Sequence, residues 1–282
     1  MIDEKDFFSS REDYLGISVA VSKNASKSYS KVKYVIDCLT MIQRVFQNFR
    51  INVPLSEFLN HVIIVSGQED RNWIHEKYEG SGDIGAWGAF YIRSLKLITI
   101  DINTFRKKSH VLKTLTHEIG HAIYNDYIVS SDESDVNDIS SARSYWKSIS
   151  TKFTDLIELA EDWAVEEDEF EDLFFELLDL CPYELGNELE SAYDDALKFA
   201  SPKRAGLYVL QNHMPTEYAG TNDNEDFAET FAMFILDNDN LSQHHKNRII
   251  NTLTKSRVQG KTVMNAHKDL TLIKKYISLL IR

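Results

Sequence analysis

The sequence contains little cysteine, proline or glycine and no long apolar run, and each of these absences excludes a class of protein. Its 282 residues include only two cysteines, Cys38 and Cys181. Two cysteines are too few for a disulfide framework but enough for a single disulfide bond. Four prolines and eleven glycines exclude long linkers, collagen-like repeats and low-complexity stretches. No window approaches the roughly 20 apolar residues of a membrane helix, so no membrane is expected as a partner. With 43% hydrophobic and 27% charged residues, the composition is that of an ordinary globular protein.

Positive charge is missing from one long stretch of the chain. Between Phe153 and Leu197 there is no lysine or arginine but there are seventeen acidic residues, and the net charge of the chain is −13. Such a surface repels phosphate backbones, so nucleic acid is not expected as a partner. We interpret the stretch as a solvated helical face, with attraction of a basic substrate or partner as the alternative.

The first residues, MIDEKDFFSSREDYLG, are acidic and lack the basic start and apolar run of a signal peptide. A cytoplasmic location is therefore the expectation, and leaderless secretion or delivery into a host is the alternative. Nothing in the sequence indicates an oligomeric state.

Hydrophobic periodicity predicts an α+β fold that is mostly helical and has a small sheet. Helical spacing of apolar residues predicts helices at about 30–50, 155–180 (one long helix or a pair), 186–200, 225–237, 241–254 and 266–281. Short apolar runs predict strands at 61–66, 88–93 and 97–102, the last two joined by a tight turn. Polar composition predicts loops at 129–141 and 202–224.

One further predicted helix, capped by Ser109 and ending near Tyr127, carries the motif His117-Glu118-Ile119-Gly120-His121. Residues four apart lie on one face of a helix, about 6 Å apart at Cβ, so both imidazoles can reach one ion. Zinc accepts neutral imidazole nitrogens and favours tetrahedral geometry. Glu118 projects beside this face and can accept a proton from a zinc-activated water. The motif predicts Zn²⁺ as cofactor, His117 and His121 as ligands and Glu118 as general base.

A catalytic zinc needs a third protein ligand and one open position. The residue six beyond His121 is Tyr127 and not a histidine, so a carboxylate is the expected third ligand. Two stretches of similar sequence offer a glutamate for this position: Glu161-Asp-Trp-Ala and Glu225-Asp-Phe-Ala.

The residues from 218 to 231, Tyr-Ala-Gly-Thr-Asn-Asp-Asn-Glu-Asp-Phe-Ala-Glu-Thr-Phe, extend the second stretch. Together with the HExxH helix they resemble the gluzincin peptidases related to the catalytic domain of anthrax lethal factor and to the Pro-Pro endopeptidases. That group combines HExxH with a later tyrosine, a Thr-Asn step and a Glu-x-Phe-Ala-Glu helix. The resemblance covers 117–127 and 218–231. It implies that the protein is a zinc metalloprotease, and therefore a hydrolase, of a toxin-like class.

Carried over residue by residue, the resemblance makes Glu225 the third zinc ligand. It makes Glu229, one turn later, a carboxylate that orients a ligand histidine. It gives Tyr218 the stabilisation of the oxyanion, for which a partly buried structural tyrosine is the alternative. The gap of about a hundred residues from His121 to Glu225 is longer than expected for that group. Glu161 is therefore the alternative third ligand, since its surroundings resemble the Leu-Glu-Asp helix of another set of predicted HExxH peptidases.

The resemblance implies a zincin-like peptidase domain at 76–282, with an acidic helical insertion at about 129–200. Residues 1–75 are expected to form an N-terminal helical portion, which either packs on the same domain or forms a small subdomain. The implied reaction is hydrolysis of peptide bonds in a protein or peptide substrate. In zincins an edge strand pairs with the substrate, and residues 85–92 are the matching candidate; an internal hairpin strand is the alternative. Two other classes remain: a zincin-fold binding module without catalysis, and an acidic interaction protein whose HExxH is accidental.

Overall fold

The computed structural model describes residues 3–48, 51, 53–78, 88–125, 136–162, 164–181, 183–236, 240–255, 257–258 and 261–262. Over these residues the protein is mostly helical with a mixed five-stranded sheet, which confirms the α+β class. None of the described helices is both long enough and apolar enough to cross a membrane. Contacts divide the chain into two compact units, 1–130 with 257–282, and 131–256.

The first unit is built around the five-stranded sheet. Its strands are β1 (Phe8–Tyr14), β2 (Ile17–Ser22), β3 (His61–Val65), β4 (Ala89–Ile92) and β5 (Leu97–Asp101). The strand order is β1-β2-β3-β5-β4, in which β2, β3 and β5 are parallel and both outer strands are antiparallel to their neighbours. The predicted strands at 61–66, 88–93 and 97–102 are confirmed, and so is the tight turn, a 3-10 helix at Arg93–Leu95.

The N-terminal portion at 1–75 contributes three of these five strands, of which only the strand at 61–66 was predicted. β1 holds only polar residues between its terminal aromatics, so it shows no apolar alternation that the sequence could reveal. Leu15 and Gly16, both at positive φ, form the two-residue turn that pairs β1 with β2. Two-residue turns of this kind match the twist of paired strands.

Helices cover the sheet of the first unit. They are α1 (Glu4–Phe7), α2 (Lys23–Ser26), α3 (Tyr29–Asn48), α4 (Leu55–Phe58), α5 (Gln68–Tyr78) and α6 (Lys108–Ile123). α3 confirms the helix predicted at 30–50. Trp73 and Ile74 of α5 pack on Ile63, Val65 and Leu97 of the central strands. Asp101, at the end of β5, binds Arg71 of α5 at 2.7 Å and so fixes the point at which the chain leaves the sheet toward α6.

The described part of the second unit contains six α-helices. They are α7 (Val136–Glu161), α8 (Glu167–Leu180), α9 (Tyr183–Leu197), α10 (Pro202–His213), α11 (Asp223–Leu236) and α12 (Gln243–Lys255). The prediction at 155–180 is confirmed in its form of a helix pair, and those at 186–200, 225–237 and 241–254 are confirmed as α9, α11 and α12. Two short strands follow, β6 (Arg257–Val258) and β7 (Lys261–Thr262), while 266–281 lies outside the described residues.

Both predicted loops are wrong over part of their length. α7 begins at Val136, so the polar segment 136–141 is helical, whereas 126–135 lies outside the described residues. The segment 202–224 contains α10 and a 3-10 helix at Glu217–Thr221. Pro202 starts α10 instead of breaking it, because the first helical turn needs no backbone N–H from its first residue.

A glycine allows α10 to approach α8 closely. A Cβ added to Gly206 would overlap the ring of Phe170, which is fully buried and stacks on Phe174. Space for the aromatic ring therefore explains a glycine in the interior of a helix.

We expect Gly206→Ala to destabilise the protein by about 1–3 kcal/mol, the usual cost of overpacking. This outcome goes against helix propensity, which favours alanine by about 1 kcal/mol. Urea unfolding followed by circular dichroism measures the change, and Gln211→Ala, at an exposed position of α10, is the control with little effect. An unchanged or higher midpoint for Gly206→Ala would contradict the packing argument.

His245 is buried near the start of α12, with its Nδ1 2.8 Å from the hydroxyl of Ser242. Burial, and then the positive charges of Arg248 and His213, lower the pKa of His245 to about 3. The unfolded chain therefore binds this proton more readily between about pH 6.5 and 3, and stability falls as the pH falls through that window.

We expect the free energy of unfolding of His245→Gln to fall less steeply than that of the wild type as the pH is lowered below 6.5. The difference between the two slopes should be at most about 1.4 kcal/mol per pH unit, the contribution of one proton. Unfolding midpoints at pH 7, 5.5 and 4.5 for both proteins check this. Parallel curves for the variant and the wild type would show that His245 contributes nothing to acid sensitivity.

Candidate metal centre

α6 carries the HExxH motif, and every residue from Leu115 to Ile123 in its second half is buried. Its predicted apolar face is confirmed, since the six predicted side chains are at most 2% exposed: Val111, Leu112, Leu115, Ile119, Ala122 and Ile123. The predicted cap at Ser109 is wrong, because the helix already begins at Lys108 after Lys107, which makes no side-chain cap bond. Lys108 instead forms an ion pair with Asp37 of α3, at 3.0 Å, and this pair anchors the first turn.

The two motif histidines lie against each other on α6. His117 and His121 are each 8% exposed, and their Nε2 atoms are 3.0 Å apart. Two ligands of a tetrahedral zinc, with bonds of about 2.0–2.1 Å, are about 3.3 Å apart, so the pair is close to the separation that zinc requires. Glu118, between them in sequence, is 6% exposed. The motif therefore stands in a buried environment and not on a solvated helix face.

α11 carries the two carboxylates that follow the Thr-Asn step. Asn222 precedes this helix and its side-chain oxygen accepts hydrogen bonds from the backbone N–H groups of Asn224 and Glu225, both at 3.0 Å. Asparagine is among the preferred residues at this capping position. Glu225 is half-buried on the first turn, and Glu229, one turn later, is 6% exposed. The Thr-Asn step thus has a local structural role, since it begins the helix that presents Glu225.

Tyr218 lies in the 3-10 helix that leads into α11. Its side chain is 41% exposed, whereas Tyr193 of the helical core is fully buried. The hydroxyl of Thr221 donates to the carbonyl of Tyr218 at 2.7 Å, and Thr216 caps the start of the turn. These bonds fix the backbone from which the phenol projects.

The predicted zinc ligands belong to different units of the chain. His117 and His121 lie in the first unit, whereas Glu225 and its alternative, Glu161, lie in the second. Glu161, the alternative third ligand, is exposed at the last position of α7, whereas Glu225 is half-buried on the first turn of α11.

β4 occupies one edge of the sheet and lies next to α6. It pairs with β5, and no strand of the described residues pairs with its other side. Residues 85–87 of the candidate substrate strand lie outside the described residues. An extended peptide can add to a sheet edge as a further strand.

Sequence reasoning missed a buried polar network beside Glu225. Asp226 is fully buried and accepts hydrogen bonds from Arg248 of α12 at 2.7 Å and from Ser150 of α7 at 2.5 Å. One signal was available: Arg248 stands among the buried residues of the amphipathic α12, next to Ile249, where a charged side chain needs a partner.

Comparison with known proteins assigns no family, since no family model matches the chain and no curated protein matches it. The resemblance to lethal-factor-related gluzincins therefore rests on residues 117–127 and 218–231 alone.

We expect Glu225→Ala to abolish stoichiometric zinc binding, because it removes a charged ligand. Glu161→Ala, at an exposed helix end, should keep about one zinc per chain, the content that we also expect for the wild type. Elemental analysis of refolded and desalted proteins measures both. Zinc lost with Glu161→Ala and kept with Glu225→Ala would move the site to the acidic helices.

Proposed function

We propose that the protein is a zinc-dependent peptidase whose zincin-like active site lies on α6. The observation that carries this proposal is the buried pair of His117 and His121, with nitrogens 3.0 Å apart and Glu118 between them. Burial of ionisable side chains costs free energy unless they are paired or bind a metal. An interaction protein with an accidental motif gives no reason to bury these three groups together.

His117, His121 and Glu225 would hold the ion. Two imidazoles and one carboxylate are a donor set of catalytic zinc sites, and they leave a position for water or substrate. The resemblance of residues 117–127 and 218–231 to the gluzincins supports this set, as does the close pairing of His117 and His121. Glu229, on the same face of α11 as Glu225, would orient a ligand histidine through its other ring nitrogen.

The reaction supported best is hydrolysis of a peptide bond in a protein or peptide substrate. A bound zinc ion supplies Lewis-acid chemistry, because it polarises a carbonyl group and increases the acidity of a water that it binds. Glu118 accepts the proton of the attacking water and passes it to the leaving amine. Tyr218 donates a hydrogen bond from its phenol to the oxygen that becomes negative. An extended substrate would pair with the outer edge of β4.

A binding module that keeps the zincin-like site without catalysis is the competing function. It would need neither a general base nor an oxyanion donor, yet Glu118 and Tyr218 are both present. Profiling of cleavage with a peptide library separates the two functions, because the module binds zinc and leaves every peptide intact.

We expect Glu118→Gln to keep about one zinc per chain and the wild-type fold but to lose peptidase activity, because glutamine cannot accept the proton. Cleavage of library peptides, measured beside the zinc content of the same preparation, checks this. Substantial activity in this variant would require another general base.

Tyr218→Phe should retain zinc and slow turnover by about 10²–10³-fold, the loss typical of one oxyanion donor. Tyr208→Phe, which changes another exposed tyrosine of the same unit, is the matched control. Equal turnover in the two variants would remove Tyr218 from the mechanism.

A further inference from the structure

We propose that Arg248 is a positioning residue, which sets the direction of the Glu225 carboxylate by fixing the first turn of α11. The inference rests on the proposed function, in which Glu225 binds the metal.

Arg248 joins three helices of the second unit. Its Nη1 donates to Asp226 of α11 at 2.7 Å, and its Nη2 donates to Ser150 at 2.5 Å and to the carbonyl of Trp146 at 2.6 Å, both on α7. Its guanidinium also lies over the Trp146 ring, 3.6 Å from the ring centre. These contacts hold Arg248, and through it Asp226, in one position.

Hydrogen bonds to neighbouring residues hold the first turn of α11, which carries Glu225. The indole N–H of Trp146 donates to the carbonyl of Asp223 at 3.2 Å. The side chain of Asn222 accepts from the N–H of Glu225, and the side chain of Asp226 receives Arg248. Trp146 therefore contributes to this turn both directly and through Arg248.

Stability alone does not account for this ion pair. Arg248 and Asp226 are 3% and 0% exposed, and the cost of removing both charges from water is comparable to the attraction between them. Well-packed apolar side chains are often as stable at such positions. Charge-assisted hydrogen bonds with fixed directions do, however, define how α11 is rotated about its own axis.

Rotation of α11 matters because metal ligands tolerate little displacement. A side-chain group about 5–6 Å from the helix axis moves by about 1 Å when the helix rotates by about 10°. Metal–ligand distances are held to within about 0.2 Å. Asp226 follows Glu225 directly and projects about 100° away from it around the helix, so fixing Asp226 fixes the backbone from which Glu225 projects.

The test is cobalt binding by the full chain, with Co²⁺ as a spectroscopic substitute for zinc. Competition with a chromophoric chelator measures affinity, and the visible bands report the geometry of the ligands. We expect Arg248→Lys and Asp226→Asn to weaken cobalt binding about 10–100-fold, as is typical when a group supporting a ligand is lost, and to shift the bands.

Lys203→Gln is the matched control. Lys203 is also buried in the second unit, but its ammonium donates to the carbonyl of Val165 at 2.8 Å and to that of Asp162, between α7 and α8. Its loss should lower the unfolding midpoint while cobalt affinity and bands stay those of the wild type.

Folded Arg248→Lys and Asp226→Asn with wild-type affinity and bands, alongside loss of cobalt in Glu225→Ala, would overturn the inference and leave the proposed function intact. A wild type that binds no cobalt, or a Glu225→Ala that binds it equally well, would overturn the proposed ligand set and the inference with it. If neither Arg248→Lys nor Asp226→Asn folds, Ser150→Ala decides the matter, since it removes the hydroxyl that donates to Asp226 and accepts from Arg248 and so loosens the hold of Arg248 on α11. Weaker binding with shifted bands supports the inference, and wild-type behaviour overturns it.

Discussion

Burial of α6 is the constraint on which the candidate centre depends. Four-residue spacing places His117 and His121 on one helical face, but only an immobile helix keeps their nitrogens 3.0 Å apart. The apolar residues of α6 supply that rigidity, and the ion pair between Lys108 and Asp37 anchors its first turn. The ion pair between Asp101 and Arg71 plays the same part at the end of β5, where the chain leaves the sheet toward α6.

The features that sequence predicts well are those encoded locally. The HExxH spacing, the apolar face of α6 and the strands β3 and β5 follow from periodicity in short windows. The β1–β2 hairpin was not predicted, because β1 is polar and its pairing depends on the turn at Leu15 and Gly16. α10 was predicted as a loop, because Pro202 is a helix breaker in an interior position but a good first residue. The environment of Arg248 is tertiary, since its partners come from α7 and α11, far away in sequence.

Helix α8, in the acidic stretch, has an apolar side that is buried and acidic residues that are exposed. Phe170, Phe174 and Leu177 face the core of the second unit, while Glu167, Asp168 and Glu169 are exposed in the first turn of α8. Negative side chains at a helix N-terminus also interact favourably with the helix dipole. The exposure of these carboxylates agrees with the interpretation of the stretch as a solvated helical face.

β4 has a consequence for how any extended peptide could be recognised at the sheet edge. The strand is only four residues long and antiparallel to β5, so about two of its residues direct their backbone groups outward. Main-chain hydrogen bonds from so short a segment carry no information about side chains. They can fix the polarity of a bound chain and the register of its backbone, but not its amino-acid sequence, so discrimination between peptides would have to come from side-chain contacts outside the sheet.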